Sequence, residues 1–176
     1  MGDPKKSRKT FRRPRQIWTT EQLSSELYLV GSYGLRSKNE LWKAQTKVAD
    51  IRNQARELLA LTVEARQIQE TKLLNYLHKL GLVKESATLD DILNLKLEDI
   101  LERRLQTIIM KKGISKSPQQ SRQLVVHGHV TIGDRIIDIP SYLVKKDEES
   151  HIVLHDEFLT QSQNPHPVNH QETIST

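Results

Sequence analysis

A chain of 176 residues with 28% charged and only 5% aromatic side chains can bury an aliphatic core in one or two domains, and its lack of cysteine excludes disulfides, thiolate zinc sites and cysteine nucleophiles. No apolar run approaches the ~18–20 residues that span a bilayer, and the basic N-terminus has no apolar core behind it, which argues against a secretory signal. The net charge of +5 is segregated: residues 1–15 hold seven Lys and Arg against one acid, residues 101–146 nine against three, and the remainder eleven against eighteen. Positive charge confined to two segments is what a polyanion-binding surface requires, though it does not separate RNA from DNA or anionic lipid.

Lys5, Lys6, Arg8, Lys9, Arg12, Arg13 and Arg15 mark residues 1–18 as a disordered basic arm, with Phe11 as the one residue able to anchor it. Ordering it alone would cost ~1–2 kcal/mol per residue with little burial in return. A polyanion would remove the repulsion; a solvated tail or a localisation signal is the plainer alternative. Thr19 predicts a helix N-cap, with Gln22 closing a capping box and Trp18 stapling against Leu23. Leu23, Leu27 and Val30 share one face, and Gly31 and Gly34 stop that helix.

Ser37-Lys38-Asn39-Glu40 reads as a second capping box. It opens a helix reaching about Leu61, whose apolar seam is Leu41, Ala44, Val48, Ile51, Ala55 and Leu58. Lys43, Lys47, Arg52 and Arg56 lie largely off the seam and suit phosphate contact or a solvated face. Trp42 adjoins the seam and is expected to pack rather than to stack on a base. A third helix over 63–80 should bury Ile68, Leu74, Leu77 and Leu80 and stop at Gly81. Thr88 caps a short helix whose first-turn Asp90 and Asp91 suit the macrodipole rather than acid–base chemistry.

The segment from Leu101 to Val144 carries most of the remaining charge. A helix is predicted from about Leu97 to Lys112, with Leu101, Leu105 and Ile108 or Ile109 inward, and Arg103, Arg104, Lys111 and Lys112 pointing elsewhere. Gly113 is its left-handed stop. Ser117 then caps a second helix, with Pro118 as its first residue and Gln120 as box partner. Lys116 and Arg122 beside that helix start make a ready phosphate site, and Gly128 ends the helix. Val130-Thr131-Ile132, a Gly133-Asp134 turn, then Ile137 and Ile139 before Pro140, predict a hairpin, with a further strand at Ile152–Leu154. Residues 156–176 read as a flexible polar tail, and no Lys or Arg follows Asp147.

The expected fold class is α+β: a mainly helical body plus a small module of two helices packed on a short antiparallel sheet. A disordered basic arm precedes it and a polar tail follows. The chain divides as 1–18, 19–100, 101–155 and 156–176. Neither a Gly-rich phosphate loop nor a Gly-x-Ser-x-Gly elbow is present, so no catalytic residues are expected. His151 and His155 stand at i, i+4 on a predicted strand, where that spacing diverges. His166 and His170 have the same spacing in the tail among Pro165 and Pro167. No metal or cofactor is therefore expected. His127-Gly128-His129 straddles a helix stop between basic segments and suits RNA contact better than metal, with plain surface exposure as the alternative.

Arg103-Arg104-Leu105, Gly113, Ser121-Arg122, Val126-His127-Gly128-His129-Val130 and Pro140-Ser141-Tyr142-Leu143-Val144, in that order, resemble the RNA-binding domain named after the fourth small-subunit ribosomal protein. That domain also occurs in pseudouridine synthases and some tRNA synthetases. The segments 33–42 (YGLRSKNELW) and 52–59 (RNQARELL) resemble the archaeal and eukaryotic form of the ribosomal protein itself, a likeness covering about residues 8–155. The lack of a long extension fits the archaeal form. Ile17 stands where the family usually has proline before the tryptophan, and the zinc-binding cysteines of some bacterial members are missing.

The resemblance implies a structural constituent of the small subunit in cytoplasmic ribosomes, not an enzyme. It would bind a multi-helix junction of small-subunit rRNA early in assembly, beside neighbouring small-subunit ribosomal proteins. It would lie near the path by which mRNA enters and influence decoding accuracy, with no membrane or small-molecule partner. The expected RNA contacts are the seven arm cations together with Arg103, Arg104, Lys111, Lys112, Lys116, Ser117, Arg122, Gln123, His127, His129 and Arg135. Two alternatives use the same module: a ribosome-biogenesis factor, and an rRNA-modifying enzyme. The enzyme would need a separate catalytic domain with an aspartate nucleophile, for which residues 1–100 leave no room.

Overall fold

The computed structural model describes residues 9–154. Lys5, Lys6, Arg8, His155, His166, His170 and the expected tail lie outside the described residues. The helices are α1 (Thr20–Ser32), α2 (Lys38–Leu59), α3 (Val63–Lys79), α4 (Leu89–Leu93), α5 (Leu97–Glu102), α6 (Leu105–Lys111) and α7 (Pro118–Val126). The strands β1 (Val130–Ile132), β2 (Arg135–Ile136) and β3 (Ile152–Leu154) form an antiparallel sheet in the order β2-β1-β3. This is the expected α+β arrangement.

The seam on α2 organises the body. Leu41, Ala44, Val48, Ala55 and Leu58 are buried because their 3–4 residue spacing puts them on one face. The first half of the seam packs with Leu35, Ile100 and Leu101, and Leu143 leans in from the far end of the chain. The second half packs with Leu77, Leu89, Ile92 and Leu95. A third cluster, Leu105, Ile108, Ile109, Leu124, Val125, Val130, Ile132, Val144 and Ile152, joins α6 and α7 to the sheet. Each fully buried Leu or Ile contributes ~1.5–3 kcal/mol.

Several local expectations are corrected. Among the described residues, neither Thr19 nor Ser37 caps its helix with its side chain. Gln22 instead donates to Glu26 Oε1 at 3.0 Å, and Trp18 is exposed, so the staple is not made. Ile68 lies on the outer face of α3, whereas Leu77 and Leu80 are buried as expected. The hairpin turns at Gly133, whose φ is 59°, with Ile132 opposite Arg135. Its second strand stops at Ile136 rather than Ile139, because its partner β1 begins only at Val130, whose carbonyl accepts the last cross-strand bond, from Ile137 N–H at 3.1 Å.

The largest correction concerns the helix expected over 97–112, which is two helices. Arg104 is extended, with φ −71° and ψ 140°, and pairs with Leu143. Leu105 N–H donates to Tyr142 O at 2.8 Å and Val144 N–H to Arg103 O at 3.0 Å. Thr107 Oγ1 satisfies the freed Leu101 carbonyl at 2.8 Å. The break lets Ile100 and Leu101 face the body while Leu105 and Ile108 face the module.

Candidate nucleic-acid interface

Glu40 is one of the points at which body and module meet, beside Gln106 Nε2, which donates to the carbonyls of Tyr33 and Gly34. Glu40 sits in the first turn of α2, where a capping box was expected, but its carboxylate turns to the module instead. Arg104 Nη2 donates to Oε2 at 2.7 Å, Arg122 Nη2 to Oε1 at 2.9 Å and Arg122 Nη1 to Oε2 at 3.3 Å. Burial pushes the Glu40 carboxyl up, but the hydrogen bonds and charges of Arg122 and Arg104 outweigh it and hold it below the ordinary carboxylate value. Three charge-assisted bonds from two guanidinium groups are each stronger than the neutral hydrogen bond of a cap.

Lys43 and Lys47 follow Glu40 on α2 at i+3 and i+7, so they continue its stripe. With Glu40, Ala44, Ile100, Arg104, Arg122, Pro140, Ser141 and Leu143 they line a cleft of about 210 Å³. Among the described residues its four cations face one carboxylate, a net of +3. Arg104 Nε is buried and meets no acceptor among the described residues. An oxyanion entering the cleft meets excess positive charge held in place before it arrives.

The other expected contacts are distributed differently. Arg103 was expected to point away from the core; instead its Nη1 pairs with Glu149 Oε2 at 2.7 Å and its Nη2 donates to Val144 O at 2.9 Å. Lys111 pairs with Glu102 at 2.8 Å, and Lys112 Nζ donates to the Glu149 carbonyl. Ser117 caps α7 as expected, its Oγ accepting from Gln120 N–H at 3.2 Å. Gln120 Oε1 reciprocates one residue early, accepting from Lys116 N–H at 2.9 Å. Lys116 and Arg135 are exposed, while Gln123, His127 and His129 share a separate cleft at the end of α7.

In the arm, Phe11 is the anchor. Its ring centroid lies 5.9 Å from that of Trp42, with Lys9 Nζ 4.9 Å from the Phe11 centroid and Arg13 Cζ 5.9 Å from the Trp42 centroid. Arg12 N–H donates to Thr46 Oγ1 at 3.0 Å, and its guanidinium stands 3.7 Å from Asp50. Arg12, Arg13 and Arg15 are exposed, so the arm lays cations along α2, the helix that also carries Lys43 and Lys47. Trp42 itself is buried, and its Nε1 donates to Glu26 at 3.1 Å, in keeping with packing rather than base stacking.

Sequence reasoning left Lys43 and Lys47 open and read Glu40 as a cap. The signal available was their common stripe with Glu40, off the apolar seam.

Residues 103–150, which hold α6, α7, β1 and β2 with the Arg103-Arg104 junction at their start, match the S4 domain family. Over 149 residues the chain is 55% identical to the small ribosomal subunit protein uS4 of Hyperthermus butylicus, covering 85% of each chain. It is 51% identical to uS4 of Cenarchaeum symbiosum over 154 residues, 88% of this chain and 75% of the relative. Against uS4 of Sulfurisphaera tokodaii the identity is 47% over 172 residues, 97% of this chain and 96% of the relative. The chain belongs to the uS4 family of small ribosomal subunit proteins.

Proposed function

We propose that this protein is a structural, non-catalytic constituent of the small ribosomal subunit that binds a folded junction of small-subunit rRNA. On this reading residues 19–100 are a helical platform and 101–155 the RNA-binding unit, with the basic arm as a second contact. The protein joins early in assembly, beside other small-subunit proteins, and acts on decoding accuracy near the path by which mRNA enters. It resides in cytoplasmic ribosomes. Family membership supports the ribosomal role, and the S4 domain supports RNA as the ligand. The observation that carries the mode of binding is the cleft of net charge +3 between α2 and the module.

Mechanistically, the Glu40 tie fixes the angle between body and module, so the cleft is rigid before RNA arrives. Phosphates of a junction that matches this spacing are gripped by Lys43, Lys47 and the outward side of Arg122, with Lys116, Arg135 and the arm widening the footprint. Recognition is by backbone shape more than base sequence.

A salt titration of binding to refolded small-subunit rRNA tests this. Joint Lys43→Ala and Lys47→Ala substitution should weaken binding and flatten the log–log salt slope by about 1 for each phosphate no longer neutralised. Lys84→Ala, an exposed lysine remote in sequence from the cleft, serves as control. An unchanged affinity and slope in the double variant would refute the cleft as a phosphate site. Retention on mature small subunits after a high-salt wash supports a resident subunit protein; occurrence on precursor particles alone would identify a biogenesis factor instead.

A further inference from the structure

The end of α7 builds a second site of different chemistry. Gly128 N–H donates to Val125 O and His129 N–H to Leu124 O, both at 3.0 Å, and Gly128 has φ 74°, which together make a Schellman motif. This reversal sets His127 and His129 side by side. Their ring centroids lie 6.2 Å apart with 24° between the planes, an offset stack. Next to them is a cleft of about 250 Å³ lined by Gln120, Gln123, Leu124, His127 and His129.

The lining selects the occupant. Among the described residues no Lys, Arg, Asp or Glu lines it, in contrast to the Glu40 cleft. Buried Leu124 supplies an apolar floor and the two imidazoles nearly parallel ring faces. Gln120 and Gln123, one turn apart on α7, supply a rim of amides. The Gln120 oxygen already accepts from Lys116 N–H, so that amide has its two N–H donors to offer. A flat apolar face with a mixed donor and acceptor edge describes a nucleobase. The volume is below the ~300 Å³ at which drug-sized pockets begin, which suits one base rather than a stack. Among the described residues no third His, Asp or Glu completes a metal ligand set with the histidines.

We propose that this cleft takes one unpaired nucleobase of the bound RNA, stacked on the His127–His129 pair with its edge read by Gln120 and Gln123. The proposal rests on the RNA-binding reading above and adds a base contact to a protein that otherwise grips phosphates. Stacking on protein rings is worth about 5- to 150-fold in affinity per base.

The test uses the full chain and refolded small-subunit rRNA. Affinity is measured across a salt series, and base-edge reactivity is mapped by chemical probing. His127→Ala and His129→Ala should each lower affinity roughly 5- to 150-fold with the salt slope unchanged. They should also restore reactivity at one unpaired base that the wild-type protein protects. His127→Phe, which keeps a flat ring, should recover most of the affinity, and unchanged thermal melts show that the fold is intact. Wild-type affinity in the alanine variants overturns the base slot and leaves the ribosomal reading standing. A loss of affinity accompanied by a smaller salt slope also overturns it, by making the histidines phosphate contacts. Absence of rRNA binding by the wild-type chain sinks both readings together.

Discussion

Replacing Glu40 with alanine removes the carboxylate shared by two arginines, and its cost follows from how deeply each is buried. The Arg104 side chain is 5% exposed, that of Glu40 20% and that of Arg122 24%. Breaking a buried pair by deleting one partner costs ~3–5 kcal/mol, because the remaining charge is left without compensation. Arg122 can turn toward water, so the penalty falls mainly on Arg104 and belongs at the lower end, about 3 kcal/mol. For a chain of this size each kcal/mol moves Tm by ~2–4 °C, which gives a drop of roughly 6–12 °C. Glu40→Gln keeps one carbonyl acceptor without the charge and should fall between alanine and wild type. Thermal melts followed by circular dichroism give the shift, and urea titration gives the free energy. Repeating Glu40→Ala in an Arg104→Met background should shrink its cost, since no buried guanidinium then remains beside it. A Tm change under about 2 °C, or a cost independent of the Arg104 background, would refute the reasoning.

Two further outcomes are expected. Burial pushes the carboxyls of Glu26, Glu40 and Glu148 up, but hydrogen bonds, led by those from Trp42, Arg122 and Tyr142 respectively, hold all three below their ordinary value. The unfolded chain then binds more protons, so their contribution is complete above the unfolded carboxylate value of ~4.3 and is lost as pH falls through the folded values. Stability by urea titration should be level from pH 7 to about 5 and decline below about 4, less steeply in Glu40→Gln; a loss beginning above pH 6 contradicts this. The second concerns two glycines in the left-handed region. A Cβ at Gly34 (φ 58°) would lie 2.7 Å from Pro118 Cβ and 2.9 Å from Gln106 Nε2, whereas one at Gly113 (φ 74°) meets open space among the described residues. Gly113→Ala should cost about 1–2 kcal/mol for backbone strain, and Gly34→Ala about 2–5 once overpacking is added. Equal costs in denaturant titrations would show that the close approach at Gly34 is not felt.

What could be read from the sequence was what is decided locally. The α2 seam emerged because burial at helical spacing involves residues within a few turns of one another. The Ser117-Pro118 helix start emerged because cap chemistry closes within four residues. Glu40 escaped because its partners lie 64 and 82 residues away, while its position in the first turn of α2 satisfied a local cap pattern equally well. The break at Arg103-Arg104 escaped for a similar reason. The apolar spacing runs through it unchanged, and the interruption is imposed by the segment at 142–144. Ile68 shows the converse: an apolar residue at the right spacing stays exposed when, among the described residues, no element covers that face of α3. For the interface, charge segregation located the module but could not say which stripe of α2 the module faces. The packing of α5, α6 and α7 makes that choice, and with it puts Lys43 and Lys47 in the cleft beside Glu40.

The pairing of Arg103 and Leu105 with Val144 and Tyr142 also sets the order in which the chain can be completed during its own synthesis. When Arg104 leaves the exit tunnel its carboxylate partner is already present, 64 residues upstream. Its backbone partner Leu143 is still to be made. β1 likewise waits for β3, which is 20 residues further along than β1 ends. A nascent chain can therefore form much of α1–α4 with partners already in hand, whereas the three-stranded sheet closes only when β3 emerges. The sheet is in this sense closed late, after the arm and α2, which supply part of the proposed interface, have already emerged.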